Sequence, residues 1–159
     1  MAEDAKFEDG DEKPLRLRAE DAEDLQVISA LTQDAIFPIT EMKWEASRRR
    51  FSLLINRFRW EDKALAELRG RAVERVQAVL VFDDVMKVSS QGVERAESDM
   101  VLSLLAVEFE AGEDGTGRVI LTLAGDGALA LDVEAVSVTL QDVTRPYIAP
   151  SGKTPDHGE

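Results

Sequence analysis

A chain of 159 residues fits one domain and is long enough to bury roughly 70% of the surface its unfolded form exposes. Its composition, 44% hydrophobic and 32% charged, excludes wholesale disorder, while a formal charge of −13 opposes general affinity for nucleic acid or anionic membranes. Cysteine is absent and the single histidine, His157, lies in the tail PSGKTPDHGE, which excludes disulfides, thiol chemistry and multi-histidine metal centres and leaves no base for a Ser-His-Asp triad.

Residues 1–13 (MAEDAKFEDGDEK) are acidic and poor in apolar side chains, and are expected to form a disordered tail. They lack the cationic and apolar regions of a secretory signal. No apolar run approaches the roughly 18 residues of a membrane span, so the expected location is the cytoplasm, without membrane contact. Pro14 to Arg18 alternates apolar and basic residues as a short strand does, with Pro14 where a missing donor does least harm.

Asp21 to Asp34 reads as a helix. Asp21 is placed to cap it, Asp24 takes the acid position of a capping box, and Leu25, Ile28, Leu31 and Ala35 form one apolar stripe. Pro38 requires the helix to end before Phe37. From Ile39 the period changes to two, with Thr40, Met42 and Trp44 on one face of a half-buried strand. Ala46 to Arg49 supplies the turn, and the chain returns through Phe51, Leu53 and Ile55. The apolar positions then shift to Phe58 and Trp60, and a bulge near Asn56-Arg57 would return both sets to the core.

Residues 61–74 (EDKALAELRGRAVE) leave a short helix and a mobile connection equally open, because Gly70 interrupts a thin apolar stripe. Val76, Ala78, Leu80 and Phe82 alternate, Asp83-Asp84 turn, Val85 to Ser89 form a short strand, and Ser90 to Asp99 is a polar loop. Met100 to Phe109 is apolar on both faces and suits a central strand covered on each side. Gly112 to Gly117 (GEDGTG) is a turn rather than a phosphate loop, since it is acidic and lacks the Lys-Ser/Thr pair. Two alternating segments flank Gly125-Asp126-Gly127, the strongest hairpin signal in the chain. A last strand runs through Val136, Val138, Leu140 and Val143.

These elements define an α+β, mostly β protein: an antiparallel β-roll or partial barrel with one N-terminal helix in a single domain over 14–143, followed by a flexible tail over 144–159. A pleckstrin-homology-like split barrel is the alternative, although such barrels are normally plugged by a C-terminal helix. The segments LRLRAEDAEDLQVISALTQDAI, RRRFSLLINRFRWED, VLSLLAVEFE and GALALDVEAVSVTLQDV together resemble a family of mostly alphaproteobacterial proteins that carry a domain of unknown function, over about Leu15 to Val143. The resemblance implies a small bacterial cytoplasmic protein and attaches no catalytic residue.

Charge is the remaining functional signal. From Arg48 to Arg75 there are eight Arg and one Lys against four acids, whereas Glu97 to Asp142 holds ten acids and one Arg. Arg48, Arg49, Arg50, Arg57 and Arg59, with Trp60 as a stacking surface, are therefore the candidate binding residues. They are expected at strand ends and an exposed edge, where arginine forks match carboxylate and phosphate. The opposing reading is that arginines guard strand edges and the tryptophans fill the core. The pairs Glu108/Glu110 and Asp132/Glu134 have the spacing of acid-base or Mg²⁺ sites, but acids beside turns are ordinary. The preferred function is a non-catalytic interaction protein that presents its Arg-rich hairpin to an acidic protein partner, with self-association into a homodimer also in reach. An anionic-ligand or RNA-binding module using the same patch is the alternative. No cofactor is implied, and an enzyme built on carboxylates and a metal ranks last.

Overall fold

The computed structural model describes residues 14–93 and 99–148; the N-terminal tail, most of the C-terminal tail and the centre of the Ser90–Asp99 loop lie outside them. β1 (Arg16–Ala19) leads into α1 (Ala22–Leu31), whose first turn is capped as expected: the Asp24 N–H donates to Asp21 Oδ1 at 2.7 Å. β2 (Ile36–Pro38) is followed by a 3₁₀ turn over Ile39–Glu41, so the strand expected from Ile39 begins only at β3 (Met42–Glu45). A second 3₁₀ turn, Ala46–Arg48, and a left-handed Arg49 at φ 55° reverse the chain into β4 (Arg50–Phe58). The ambiguous stretch after it forms α2 (Lys63–Leu68), closed by Gly70 at φ 67°.

Six more strands complete the sheet, beginning with β5 (Arg75–Phe82) and β6 (Val85–Gln91), which are separated by the expected Asp83-Asp84 turn. β7 (Val101–Ala111), β8 (Gly117–Leu123) and β9 (Ala128–Val133) form a meander, and β10 (Val138–Asp142) returns to pair with both β1 and β5. The β8–β9 turn places Gly125 at φ 80° and Asp126 at φ 68°, the two successive positive values that a tight hairpin turn of this hand requires. The described sheet is open and entirely antiparallel, in the order β1-β10-β5-β4-β2-β7-β8-β9-β6, with β3 paired to the first half of β4.

Alternation drives the packing. Phe51, Leu53 and Ile55 of β4, Ala78, Leu80 and Phe82 of β5, and Val138 and Leu140 of β10 all point inward, where they join Leu104, Leu121 and Leu131 from the distal strands in one core. α1 packs on β1 and β7 and adds Leu25 and Ile28 to that core, and Ser29 Oγ accepts the Val107 N–H at 2.8 Å. β7 is central as expected, but only one of its faces is buried: Val101 and Leu105 remain 58% and 37% exposed, and a register shift falls between Leu104 and Ala106. The α+β, mostly β class therefore holds, with α2 as an added element.

The chain past Val143 also belongs to the folded unit as far as it is described. Val143 N–H donates to the Gln77 carbonyl at 2.8 Å, and Arg75 and Tyr147 exchange backbone hydrogen bonds of 2.6 and 2.8 Å. The Asn56 amide reaches the Tyr147 hydroxyl at 2.6 Å.

Candidate functional site

The bulge expected at Asn56-Arg57 does not exist. β4 and β5 stay in continuous register from Phe51↔Phe82 to Phe58↔Arg75, so the inward sequence 51, 53, 55 continues to Arg57, which is completely buried. A guanidinium there costs a large desolvation energy unless every donor is matched, and the surroundings match them. Nε and Nη2 each donate to Asp142 at 3.0 Å, Nη1 and Nη2 donate to Glu61 at 2.9 and 2.8 Å, and Nη1 also reaches the Phe58 carbonyl at 3.1 Å. Asp142 additionally accepts the Leu15 N–H at 3.0 Å, which ties β1 to the same cluster.

Burial acts to lower the Arg57 pKa, but its hydrogen bonds to Glu61 and Asp142, together with their charges, outweigh it and hold the group above its ordinary value. Burial likewise acts to raise Glu61, and its hydrogen bonds and attraction to Arg57 overcome that and bring it below the ordinary glutamate range. The triad is thus a charged plug at one end of the core.

Arg59 is also buried. It donates to Glu74 at 2.6 Å and approaches Asp62 at 3.4 Å, while Arg71 joins the same Asp62 at 2.8 Å. These pairs hold the α2 segment against the outer side of the sheet. There Phe58, Ala66 and Val73 form a small second core with Trp60 against it. Trp60 is committed as well: its Nε1–H donates to the Gln33 carbonyl at 2.8 Å, and its ring lies 5.1 Å from Phe58. Arg57, Arg59 and Trp60 therefore serve the interior, against the expectation of strand-end and edge positions.

Arg48, Arg49 and Arg50 do reach the surface together at the β3–β4 reversal. Each has an acid of its own chain: Arg48 lies 3.9 Å from Glu45, Arg49 Nη2 contacts Glu134, and Arg50 Nε donates to Asp83 at 2.8 Å. The hydrogen bond to Asp83, then its charge, raises the Arg50 pKa. The six candidate residues consequently form two groups with different jobs rather than one cationic face. The carboxylate pairs are likewise engaged separately, Asp132 by Arg118 at 2.9 Å and Glu134 by Arg49. Among the described residues, no cluster of three or more acids or histidines has the geometry of a metal site, and no buried side-chain donor or acceptor lacks a partner.

The surface that sequence periodicity did not single out is the outer face of the sheet. Side chains alternate with the core positions, so Leu54 of β4 and Val79 and Val81 of β5 point away from the core, beside Ile36 and Pro38 of β2 and Val101 of β7. α2 covers this face only at the Phe58 end, and elsewhere a groove of about 310 Å³ runs along Ile36, Pro38, Leu54, Asn56, Gln77 and Val101. A neighbouring depression of about 360 Å³ shares Glu41 and Leu54 with it and reaches Lys43 and Val79. At the Gln77 end the exposed side chains of Val143, Tyr147 and Ile148 follow, held there by the Gln77 and Arg75 backbone. Of the exposed large hydrophobic residues described, Val101 lines the groove, and Val143 and Tyr147 are hydrogen-bonded to its lining residues Gln77 and Asn56, a grouping that suits an interaction surface.

A family model described as protein of unknown function (DUF2948) matches residues 15–157. The chain belongs to this family. No curated protein and no solved structure matches it. The DUF2948 match begins at Leu15, whose backbone contacts Asp142, so it spans the whole described sheet, both helices and the charged plug.

Proposed function

We propose that this DUF2948 protein is a non-catalytic interaction module that docks a protein partner on the outer face of β2, β4 and β5. The observation that carries the reading is the partly exposed apolar strip of Leu54, Val79, Pro38 and Val101 that lines two adjoining depressions, beside Tyr147, whose hydroxyl accepts from Asn56 of the groove. An apolar centre with polar rims is how protein interfaces are built. Arg48 and Arg50 stand at the β3 end of this face, where the side chain of Arg48 is 68% exposed. The Arg-rich hairpin thereby becomes a rim that meets partner acids rather than the main contact. Rim charges of this kind steer encounter more than they hold the complex. A cytoplasmic setting agrees with a chain that uses no cysteine.

The test is capture of partners from lysate of the source cells, an untagged copy of the chain included. Comparison is among the wild type, a Leu54→Glu/Val101→Glu variant and an Arg48→Ala/Arg49→Ala/Arg50→Ala variant. The expected result is loss of bound protein with the first variant and retention with the second. The reverse pattern would return the site to the arginines and favour the acidic-partner or anionic-ligand reading, and identical capture by all three would remove both.

A further inference from the structure

Resting on that reading, we propose that residues 59–74 form a lid on the docking groove, which opens as one unit and adds Phe58 to the apolar surface a partner meets. Three rungs of the β4–β5 ladder face outward in succession: Leu54↔Val79, Asn56↔Gln77 and Phe58↔Arg75. The first two border the groove and its neighbouring depression. The third continues the same face, and there Trp60, Ala66 and Val73 close over Phe58. The groove therefore ends where the lid begins rather than where the sheet ends. Arg75 bridges the two parts, its guanidinium 4.5 Å from the centre of the Phe58 ring while its Nε donates to Asn56 at 3.0 Å.

The lid is built to hold its own shape. At its neck the Arg59 N–H donates to the Glu74 carbonyl at 2.8 Å, and the side chains of the same two residues meet at 2.6 Å. Inside, Asp62 takes Arg59 at 3.4 Å and Arg71 at 2.8 Å, and the Arg71 N–H returns to the Ala66 carbonyl at 3.0 Å. These bonds join residues of the lid to one another and need not break when it moves. Others cross to the body of the protein: Glu61 accepts from Arg57 of β4, and the Trp60 Nε1–H donates to the Gln33 carbonyl. Opening exchanges both for water, because Glu61 is already 29% exposed, while the buried Arg57 keeps its bonds to Asp142.

Packing decides which part of the molecule opens first. Phe58, Ala66 and Val73 form a core separate from the main one, and Leu68 of α2 is 83% exposed. A segment with so little apolar burial lies at the low end of local stability, whereas β4 and β5 share the main core and open with the whole domain. An apolar side chain of a partner placed on Phe58 replaces the contacts that Trp60, Ala66 and Val73 give up. Occupation of the groove and opening of the lid thus favour each other.

The chain has no cysteine, so single introduced thiols report opening without background. Ala66→Cys and Val73→Cys each place a thiol under the lid, and Ala78→Cys places one in the main core. Both lid thiols should react with a thiol reagent through one shared opening constant, at least about tenfold faster than Ala78→Cys, because local units open at a fraction of the global free energy. Urea below the unfolding transition should leave the lid rates almost unchanged and raise the Ala78→Cys rate steeply. Lid thiols that follow Ala78→Cys in both respects overturn the lid, and two different opening constants overturn its movement as one unit. The link to the groove is read by hydroxyl-radical oxidation after a bulky maleimide is attached to the Ala66→Cys thiol. Oxidation of Phe58 should rise while Phe51 and Phe82 stay protected; a Phe58 as protected as those two overturns its place in the groove. Neither readout uses a partner, so both stand apart from the capture of protein through Leu54 and Val101.

Discussion

Replacing Arg57 by Met leaves Asp142 as a carboxylate with a 3% exposed side chain, held only by the Leu15 N–H. Removing one partner of a buried pair costs about 3–5 kcal/mol. At about 2–4 °C per kcal/mol for a domain of this size, the melting temperature should fall by roughly 6–20 °C. Asp142→Asn is milder. Arg57 then keeps its bidentate bonds to Glu61, and asparagine still offers Leu15 an acceptor, so the loss is about 1–3 kcal/mol. The double variant leaves no unpaired buried charge, because Glu61 is 29% exposed and can turn to water. It should therefore be more stable than Arg57→Met alone. Thermal and urea unfolding followed by circular dichroism gives all three values and the coupling between the sites. If Arg57→Met melted within about 2 °C of wild type, a shift of order 1 kcal/mol or less, or if the two single effects simply added, the plug described above would not exist.

Acid should attack the same cluster. Because the folded pKa of Glu61 lies below its unfolded value, its contribution to stability is complete above the unfolded value of about 4.3. That contribution is lost as pH falls from there through the folded pKa. Urea midpoints measured between about pH 6 and pH 3 should flatten in Glu61→Gln, and an unchanged slope would speak against the assignment. Arg59→Met removes the 2.6 Å partner of Glu74 and leaves Asp62 to Arg71 alone, so hydrogen exchange should accelerate across residues 60–73 and leave the β4 and β5 amides protected; uniform acceleration would mean that Arg59 supports the whole fold. The triple change of Arg48, Arg49 and Arg50 to Ala removes only exposed pairs worth about 0–1 kcal/mol each, and a melting temperature more than about 15 °C below wild type would show that they hold the reversal together.

Local rules made much of this fold legible. Asp21 caps α1 because its side chain and the Asp24 N–H are neighbours in sequence, and Gly125-Asp126 turns because both residues tolerate positive φ. Alternation also located β5 and its buried set. The same rule failed at Arg57, since a periodic pattern assigns arginine to the surface and its partner Asp142 stands 85 residues away. The expected bulge follows from placing Phe58 and Trp60 on the same face as Phe51, Leu53 and Ile55, whereas in continuous register Phe58 packs in a separate core with Ala66 and Val73.

The apolar run through Leu54 misled in the opposite direction. Periodicity says which side chains share a face, but not whether anything covers that face. Val79, Val81 and Leu54 are as apolar as core residues, and only the assembled sheet reveals that α2 stops short of them. α2 itself was ambiguous because Ala66 is its single buried residue, too small a stripe to register as a period.

Methyl-selective NMR with a soluble paramagnetic probe tests the docking face most directly, read with and without the proteins captured from lysate. Relaxation enhancement at Leu54, Val79, Val81 and Val101 should fall together, while Val27 on α1 and Leu105 on β7 keep theirs. A fall shared equally by all six positions, or by none, would contradict a docking face on β2, β4 and β5.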